Sequence, residues 1–207
     1  MSYTIVIGNK NLSSWSLRPW LIMARCGVPF REVLIRLNTP TTTEEIKQYS
    51  AAGKVPAFLH NDVSLGESLA ICEYLAEQFP EKNFWPKDRK ARALARMVSS
   101  EMHAGFATLR KNMPMSCSAR LPGQGRAPGV QEDIERICAL WRQCRAEFGQ
   151  GGPFLFGDFS IADAFFAPVV TRFTTYGVEL DETCQQYAAA VWALPEMAAW
   201  LEAAKLE

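Results

Sequence analysis

The sequence predicts a small mixed α/β unit followed by an all-helical unit. Within the first 80 residues, short apolar or β-branched runs alternate with amphipathic helical segments. From residue 89 onward, the apolar residues recur at helical spacing throughout. The segment EKNFWPKD between the two patterns is typical of a linker. We therefore place the first domain at 1–80, the linker at 81–88 and the helical domain at 89–207.

The first unit has the predicted order β-α-β-α-β-β-α. The run YTIVIG is typical of a buried strand, and the following segment places Leu17, Trp20 and Leu21 on one helical face before a stop at Gly27. We expect the first β-α-β to be parallel and right-handed, and the last two strands to form a hairpin around Asn61-Asp62. The predicted strands are 3–8, 30–37, 56–60 and 63–65, and the predicted helices are 14–26, 43–50 and 67–79.

The second unit contains several helical faces separated by loops. The segment FSIADAFFAPVVTRF, residues 159–173, is apolar on nearly all sides, which predicts a central buried helix. Ser160 and Asp163 resemble a capping box at its start, and Pro168 is expected to bend it. A last helix is expected from Pro195. Two further helical faces comprise Leu94, Met97, Val98, Met102, Phe106 and Leu109, and Val130, Ile134, Ile137, Trp141, Cys144 and Phe148.

Composition excludes several classes of protein. Of the 207 residues, 48% are hydrophobic and 21% are charged, and 22 basic residues balance 22 acidic ones. That balance argues against a nucleic-acid or anionic-membrane partner with a broad contact surface. No apolar run reaches the ~20 residues of a membrane span, and the first ten residues do not resemble a signal peptide. We expect a cytoplasmic protein.

Cysteine and histidine usage predicts neither disulfides nor a metal site. None of the six cysteines forms a Cys-x-x-Cys pair, so buried free thiols in a reducing compartment are expected. The two histidines, His60 and His103, are far apart in the sequence and lack neighbouring ligands. The cysteines are Cys26, Cys72, Cys117, Cys138, Cys144 and Cys184.

The stretch NLSSWSLRPW places hydroxyl groups where a strand gives way to a helix. Ser13 and Ser14 lie at the predicted helix start, where free backbone N–H groups and the helix dipole favour anions. One interpretation is an ordinary N-cap serine. The other is a hydroxyl that stabilises a bound thiolate and so makes it a nucleophile.

Two later segments also have one functional and one purely structural interpretation. In KVPAF, a cis Val55–Pro56 bond would present the main chain of Val55 to an extended peptide, whereas a trans proline would simply enter the strand. In GES, Glu67 and Ser68 are able to hold the ammonium and carboxylate groups of an α-amino acid, or merely to cap a helix. The three segments are expected at one edge of the small sheet.

Together, these motifs resemble those of cytosolic glutathione transferases. SSWSLRPW is similar to the serine-type catalytic motif, KVPAF to the cis-proline strand, and GESLAICEYLAEQFP to the γ-glutamyl-binding helix. FSIADAFFAP is similar to the buried capping-box helix of the family's helical domain. The resemblance implies a thioredoxin-like N-terminal domain and glutathione as co-substrate. SSxSxR is most similar to the zeta class, except that Trp15 replaces its cysteine, which favours a bacterial zeta-like transferase over the isomerase.

The resemblance also implies roles for individual residues. Ser13 would stabilise the thiolate, with Ser14 as the alternative, and Arg18 would be structural. Lys54 is either near the glycyl carboxylate or a solvated surface lysine. The implied glutathione contacts are Lys54, Val55, Pro56, Glu67 and Ser68.

The second substrate is expected between the domains, against SSEMHAGFATLR. Ser99, His103, Phe106 and Arg110 would share one face of a continuous helix, and Trp15 would also line the pocket. That mixture suits an electrophile with an anionic group, although an interdomain or solvated face has the same pattern.

Three functions remain open from the sequence. The first is a transferase that adds the glutathione thiolate to a small electrophile. The second is a glutathione-dependent cis-trans isomerase of the maleylacetoacetate type, and the third is a non-catalytic interaction protein. A thiol-disulfide reductase is disfavoured because serines stand at the helix start. A homodimer is expected from the fold alone.

Overall fold

The computed structural model describes residues 2–207 and begins with a four-stranded sheet. Its strand order is β2-β1-β3-β4. β1 runs parallel to β2 and antiparallel to β3, and β3 pairs antiparallel with β4. The predicted parallel pair and terminal hairpin are therefore confirmed. The strands are β1 (Tyr3–Gly8), β2 (Phe30–Ile35), β3 (Ala57–His60) and β4 (Val63–Gly66).

Both faces of β1 are covered by helices, because neighbouring side chains of a strand point to opposite faces. The helices of this unit are α1 (Ser14–Cys26), α2 (Thr42–Lys47) and α3 (Ser68–Gln78). Ile5 and Ile7 are fully buried in the main core, with Leu17 of α1. Val6 faces the other way, into a small cluster with Ile46 of α2. The sheet is thereby fixed between α2 on one side and α1 with α3 on the other.

The second unit is entirely helical and is built around one buried helix. This helix, α7 (Ile161–Tyr176), packs against α1 and α4 (Arg89–Ala104), and nearly all of its residues are buried. The predicted central helix is therefore confirmed, and Pro168 lies inside it. The six helices are α4 (Arg89–Ala104), α5 (Ala107–Asn112), α6 (Val130–Phe148), α7 (Ile161–Tyr176), α8 (Glu182–Trp192) and α9 (Pro195–Ala204).

The continuous helix predicted over 94–109 is wrong. The chain leaves the helix at Gly105, where an added Cβ would lie 2.7 Å from the Glu101 carbonyl oxygen, and Phe106 is left-handed with φ 57°. Residue 106 and those after it therefore leave the helical face that carries His103. The sequence interpretation also missed α8, and it extended β2 to residue 37 and α2 to residue 50.

The two units are joined by polar contacts across their boundary. The Trp200 indole Nε1 donates to the Lys10 carbonyl at 2.8 Å, and the Glu207 carboxylate accepts from the Lys10 amide at 2.7 Å. The Lys10 ammonium in turn lies 2.7 Å from the Glu32 carboxylate. Lys10 stands in the turn between β1 and α1, so the last helix holds that turn in place. Among residues 2–207, no helix is both long enough and apolar enough to cross a membrane.

Asp163 stabilises the start of α7. Its carboxylate accepts hydrogen bonds from the Ser160 amide at 2.8 Å, the Ser160 hydroxyl at 3.0 Å and the Leu155 amide at 3.1 Å. Complete burial raises the pKa of this carboxyl to about 6, and the hydrogen bonds oppose the rise. The predicted capping box is confirmed.

Asp163→Ala is expected to destabilise the fold by about 3 kcal/mol, because it leaves buried donors without an acceptor. Asp181→Ala is the matched control, since Asp181 caps α8 through the Cys184 amide but is exposed. Its loss is expected to be about 1 kcal/mol or less. Urea unfolding of both variants measures the difference, and equal losses would contradict the assigned role of Asp163.

Candidate functional site

The Ser13 side chain caps the start of α1. Its hydroxyl accepts from the Ser16 amide at 3.4 Å and donates to the Ser16 hydroxyl at 2.7 Å. The Ser16 hydroxyl also accepts from the Gly8 amide at 3.1 Å. Ser13 is buried and lines neither of the two cavities described below. The hydrogen bonds of the Ser13 hydroxyl are therefore made within the segment that joins β1 to α1.

Ser14, the first residue of α1, has a different environment. Its hydroxyl oxygen accepts from Nη2 of Arg172 at 3.2 Å. No acceptor for its proton lies among residues 2–207, and the side chain lines a cavity. A hydroxyl that already accepts from a cation has its proton left to donate to a ligand.

Two cavities share Trp15 as a lining residue, and we call the position of this side chain their junction. The sheet-edge cavity has a volume of about 360 Å³, and the interdomain cavity one of about 450 Å³. A cavity of about 680 Å³ between α9 and the loop containing Cys117 is larger but lies away from the serines. The sheet-edge cavity is lined by Trp15, Ala52, Lys54, Val55, Pro56, Gly66, Glu67 and Ser68. The interdomain cavity is lined by Leu12, Ser14, Trp15, Ala107, Arg110, Lys111, Pro114, Met115 and Arg172.

The sheet-edge cavity brings together all five residues that the sequence motifs singled out as glutathione contacts. The Val55–Pro56 bond is cis, as predicted. Glu67 has a positive φ of 70° just before α3. Ser68 is completely buried, and its hydroxyl has no hydrogen-bond partner within residues 2–207. A buried hydroxyl without a partner is costly, so this position favours a ligand that supplies one.

His103 lies behind the junction of the cavities and lines neither of them. Its Nε2 is 3.1 Å from the Glu67 carboxylate, and its ring meets Trp15 edge-on at 5.2 Å. Burial lowers the pKa of His103, while Glu67 opposes that shift. His103 therefore supports Glu67 and Trp15 from α4.

Three arginines make this region electropositive. Arg110 lies 5.3 Å from the Trp15 ring at the interdomain cavity, and Arg172 lies in its wall. Arg18 is fully buried between Trp15 at 4.3 Å and Phe165 at 4.8 Å, without a hydrogen-bond partner in residues 2–207. Burial, reinforced by the neighbouring arginines, lowers the pKa of Arg18 to about 9 and that of Arg172 to about 10. Both remain charged at neutral pH.

The predicted electrophile pocket is only partly assembled. Trp15 and Arg110 line the interdomain cavity, but Phe106 does not, because it lies at the break between α4 and α5. Ser99 is buried and donates to the Ala95 carbonyl at 2.8 Å. The sequence interpretation missed Lys111 and Arg172. The one available signal for Arg172 was a charged residue inside an otherwise apolar segment.

Within residues 2–207, no group of three or more His, Cys, Asp or Glu side chains is arranged to hold a metal ion. All six cysteines are buried free thiols.

Comparison with known proteins identifies the family. The models of the glutathione S-transferase N-terminal and C-terminal domains match residues 12–78 and 119–203. Maleylacetoacetate isomerase of Mus musculus is 33% identical over 176 residues, covering 83% of this chain and 78% of that protein. Glutathione S-transferase 1 of Dianthus caryophyllus is 27% identical over 177 residues, covering 83% and 79%. The chain belongs to the glutathione S-transferase family.

A solved structure supports the fold over its full length. The glutathione transferase homolog from Burkholderia gl BGR1, solved with bound glutathione, has a TM-score of 0.75 and 22% identity, and each chain is covered completely. The resemblance drawn from the sequence motifs and the predicted fold class, a thioredoxin-like domain followed by a helical domain, are both confirmed.

Proposed function

We propose that this protein is a glutathione transferase that binds glutathione in the sheet-edge cavity and a small electrophile in the interdomain cavity. One observation carries the proposal: the two cavities share Trp15, and Ser14 stands next to it at the start of α1. A thiol bound beside Trp15 in the sheet-edge cavity would be separated from an electrophile in the interdomain cavity by that one side chain.

The sheet-edge cavity suits the two ends of glutathione. The Glu67 carboxylate is assigned to the α-ammonium group, and the buried Ser68 hydroxyl and amide to the γ-glutamyl carboxylate. The main chain of Val55 is assigned to the cysteinyl residue, and Lys54 to the glycyl carboxylate.

Ser14 is assigned as the donor to the glutathione sulfur. The free thiol has a pKa of about 8.5, so a hydroxyl donor and the start of α1 are needed to populate the thiolate at neutral pH. Ser13 is unsuited because its proton is held by Ser16. The thiol proton passes to solvent, the thiolate attacks an electrophilic carbon, and the new C–S bond displaces a leaving group or is followed by protonation of the neighbouring carbon.

A glutathione-dependent isomerase is the second candidate. It is favoured by the 33% identity to the mouse maleylacetoacetate isomerase and by the cationic interdomain cavity. In that reaction the thiolate adds to a cis double bond, rotation follows, and the thiolate leaves again. We also propose a cytoplasmic location and a homodimeric assembly, as is typical of the fold.

Glutathione is expected to bind at least about tenfold more tightly than cysteinylglycine, because only glutathione reaches Glu67 and Ser68. Glu67→Gln should remove most of this preference and leave the affinity for cysteinylglycine unchanged. Calorimetry with both thiols measures the effect. Equal affinities for the wild-type protein would contradict the assigned orientation.

Ser14→Ala is expected to lower turnover about ten- to a hundredfold, with a smaller change in glutathione affinity when affinity is measured below the bound thiol pKa. The reason is that a hydrogen bond to a charged group contributes about 1.5–3 kcal/mol. Ser13→Ala is the matched control, and it should lower thermal stability more than turnover, since Ser13 caps α1. A larger loss of turnover in Ser13→Ala would reverse the two assignments.

An electrophile that bears a carboxylate is expected to react faster than its neutral ester, because Arg110 lines the interdomain cavity. Arg110→Met should reduce kcat/KM about tenfold for a maleyl-type acid and have little effect on its methyl ester. Chromatography of the products separates the mechanisms, since a transferase consumes glutathione and an isomerase does not. If glutathione binds but no electrophile reacts, the protein is a non-catalytic member of the family.

A further inference from the structure

Arg172 is the one side chain of α7 that joins the helical unit to the candidate catalytic hydroxyl. Its side chain is almost completely buried, at 3% relative exposure. Nε donates to the Met113 carbonyl at 2.9 Å and Nη1 to the Pro168 carbonyl at 3.3 Å. Nη2 donates to the Ser14 hydroxyl at 3.2 Å. The guanidinium is thereby held in one orientation, with its third donor aimed at the start of α1.

The charge of Arg172 is not neutralised by a protein carboxylate. Within residues 2–207 it forms no ion pair, and its hydrogen-bond partners are two carbonyls and one hydroxyl. The charged group that acts on it most strongly is Arg110, which repels it. An unpaired buried guanidinium costs several kcal/mol, and an anion bound nearby would recover part of that cost.

We propose that Arg172 is a positioning residue for glutathione activation, which directs the Ser14 proton toward the sulfur and stabilises the thiolate by its charge. This inference rests on the proposed function. Because the Ser14 oxygen accepts from a cation, its O–H bond is polarised and becomes a stronger donor. The positive charge of Arg172 beside Ser14 would also lower the pKa of a thiol bound there directly.

Other ionisable groups surround the same position, and none of them bonds to Ser14 within residues 2–207. Arg18 comes from α1, and His103 from α4. Arg110 and Lys111 come from α5, while Glu67 stands at the start of α3. Tyr176 lies one turn further along α7 from Arg172. Burial raises the pKa of Tyr176, and the charge of Arg172 opposes that rise. The direct contact singles out Arg172 as the group coupled to the hydroxyl.

The test is a titration of bound glutathione by the ultraviolet absorbance of its thiolate. Arg172→Gln is expected to raise the bound thiol pKa by about one unit, and turnover below that pKa should fall severalfold. Arg172→Lys keeps the charge but loses the planar set of guanidinium N–H donors, so the bound thiol pKa should shift by an intermediate amount. Arg89→Gln removes an exposed arginine at the first turn of α4, about 20 Å along that helix from His103, and it should leave the thiol pKa unchanged.

A double-mutant cycle with Ser14→Ala separates positioning from simple packing. The shift caused by Arg172→Gln should be smaller in the Ser14→Ala background, because the polarised hydroxyl is already absent. A thiol pKa that does not move in Arg172→Gln, or equal shifts in both backgrounds, would overturn the proposed coupling. Thermal unfolding, and glutathione affinity well below the bound thiol pKa, are measured alongside, since neither reports the ionisation of the thiol under these conditions.

If the Arg172 variants do not fold, Ser14→Ala still tests whether the positive charges of the site act on the thiol. The bound thiol pKa should then lie between that of the wild-type complex and that of free glutathione, because Arg172, the other two arginines and the start of α1 remain. A value equal to that of free glutathione would mean that these charges contribute nothing. Failure of the proposed function is a separate outcome, in which the wild-type protein binds no glutathione or leaves its thiol pKa unshifted.

Discussion

The packing of α1 against α7 is the constraint on which the site depends. α1 carries Ser14 and Trp15, whereas α7 carries Arg172 and Phe165, and each helix belongs to a different unit of the chain. Both are buried along most of their length, so neither can shift without opening the main core. The hydroxyl at the start of α1 is therefore aligned by the helical unit as well as by the sheet that precedes it.

The turn between β1 and α1 is held from the opposite end of the chain. Trp200 bonds to the Lys10 carbonyl, Glu207 to the Lys10 amide, and Lys10 itself pairs with Glu32. Backbone groups in a turn usually form hydrogen bonds with water, whereas here they bond to side chains of the helical unit. These contacts fix the turn and thereby restrict the orientation of α1. Ser13 then closes the turn from inside as the helix cap. The position of Ser14 is thus determined by contacts from both units.

Local sequence signals predicted the parts of the structure that depend on local chemistry. The bounds of α1 follow from the serine cap and from Gly27, and most residues of the sheet-edge cavity follow from the two short motifs KVPAF and GES. The break at Gly105 was missed because the apolar spacing continues past it, while the backbone does not. Arg172 was missed for another reason: it lies 158 residues from Ser14, and helical periodicity carries no information on such a contact. The second failure is therefore tertiary in origin, whereas the first is a local backbone break that apolar periodicity does not register.

Aromatic rings lie against two of the arginines that form no ion pair within residues 2–207. Arg18 lies between Trp15 and Phe165, and Arg110 approaches the Trp15 ring from the interdomain cavity. An aromatic face attracts a cation without being an anion, and each such contact contributes about 0.5–2 kcal/mol. A carboxylate in the same place would neutralise the arginine and compete with any bound anion. Rings in place of carboxylates lower the cost of burial and leave the positive potential available at the junction of the two cavities, where a thiolate would form.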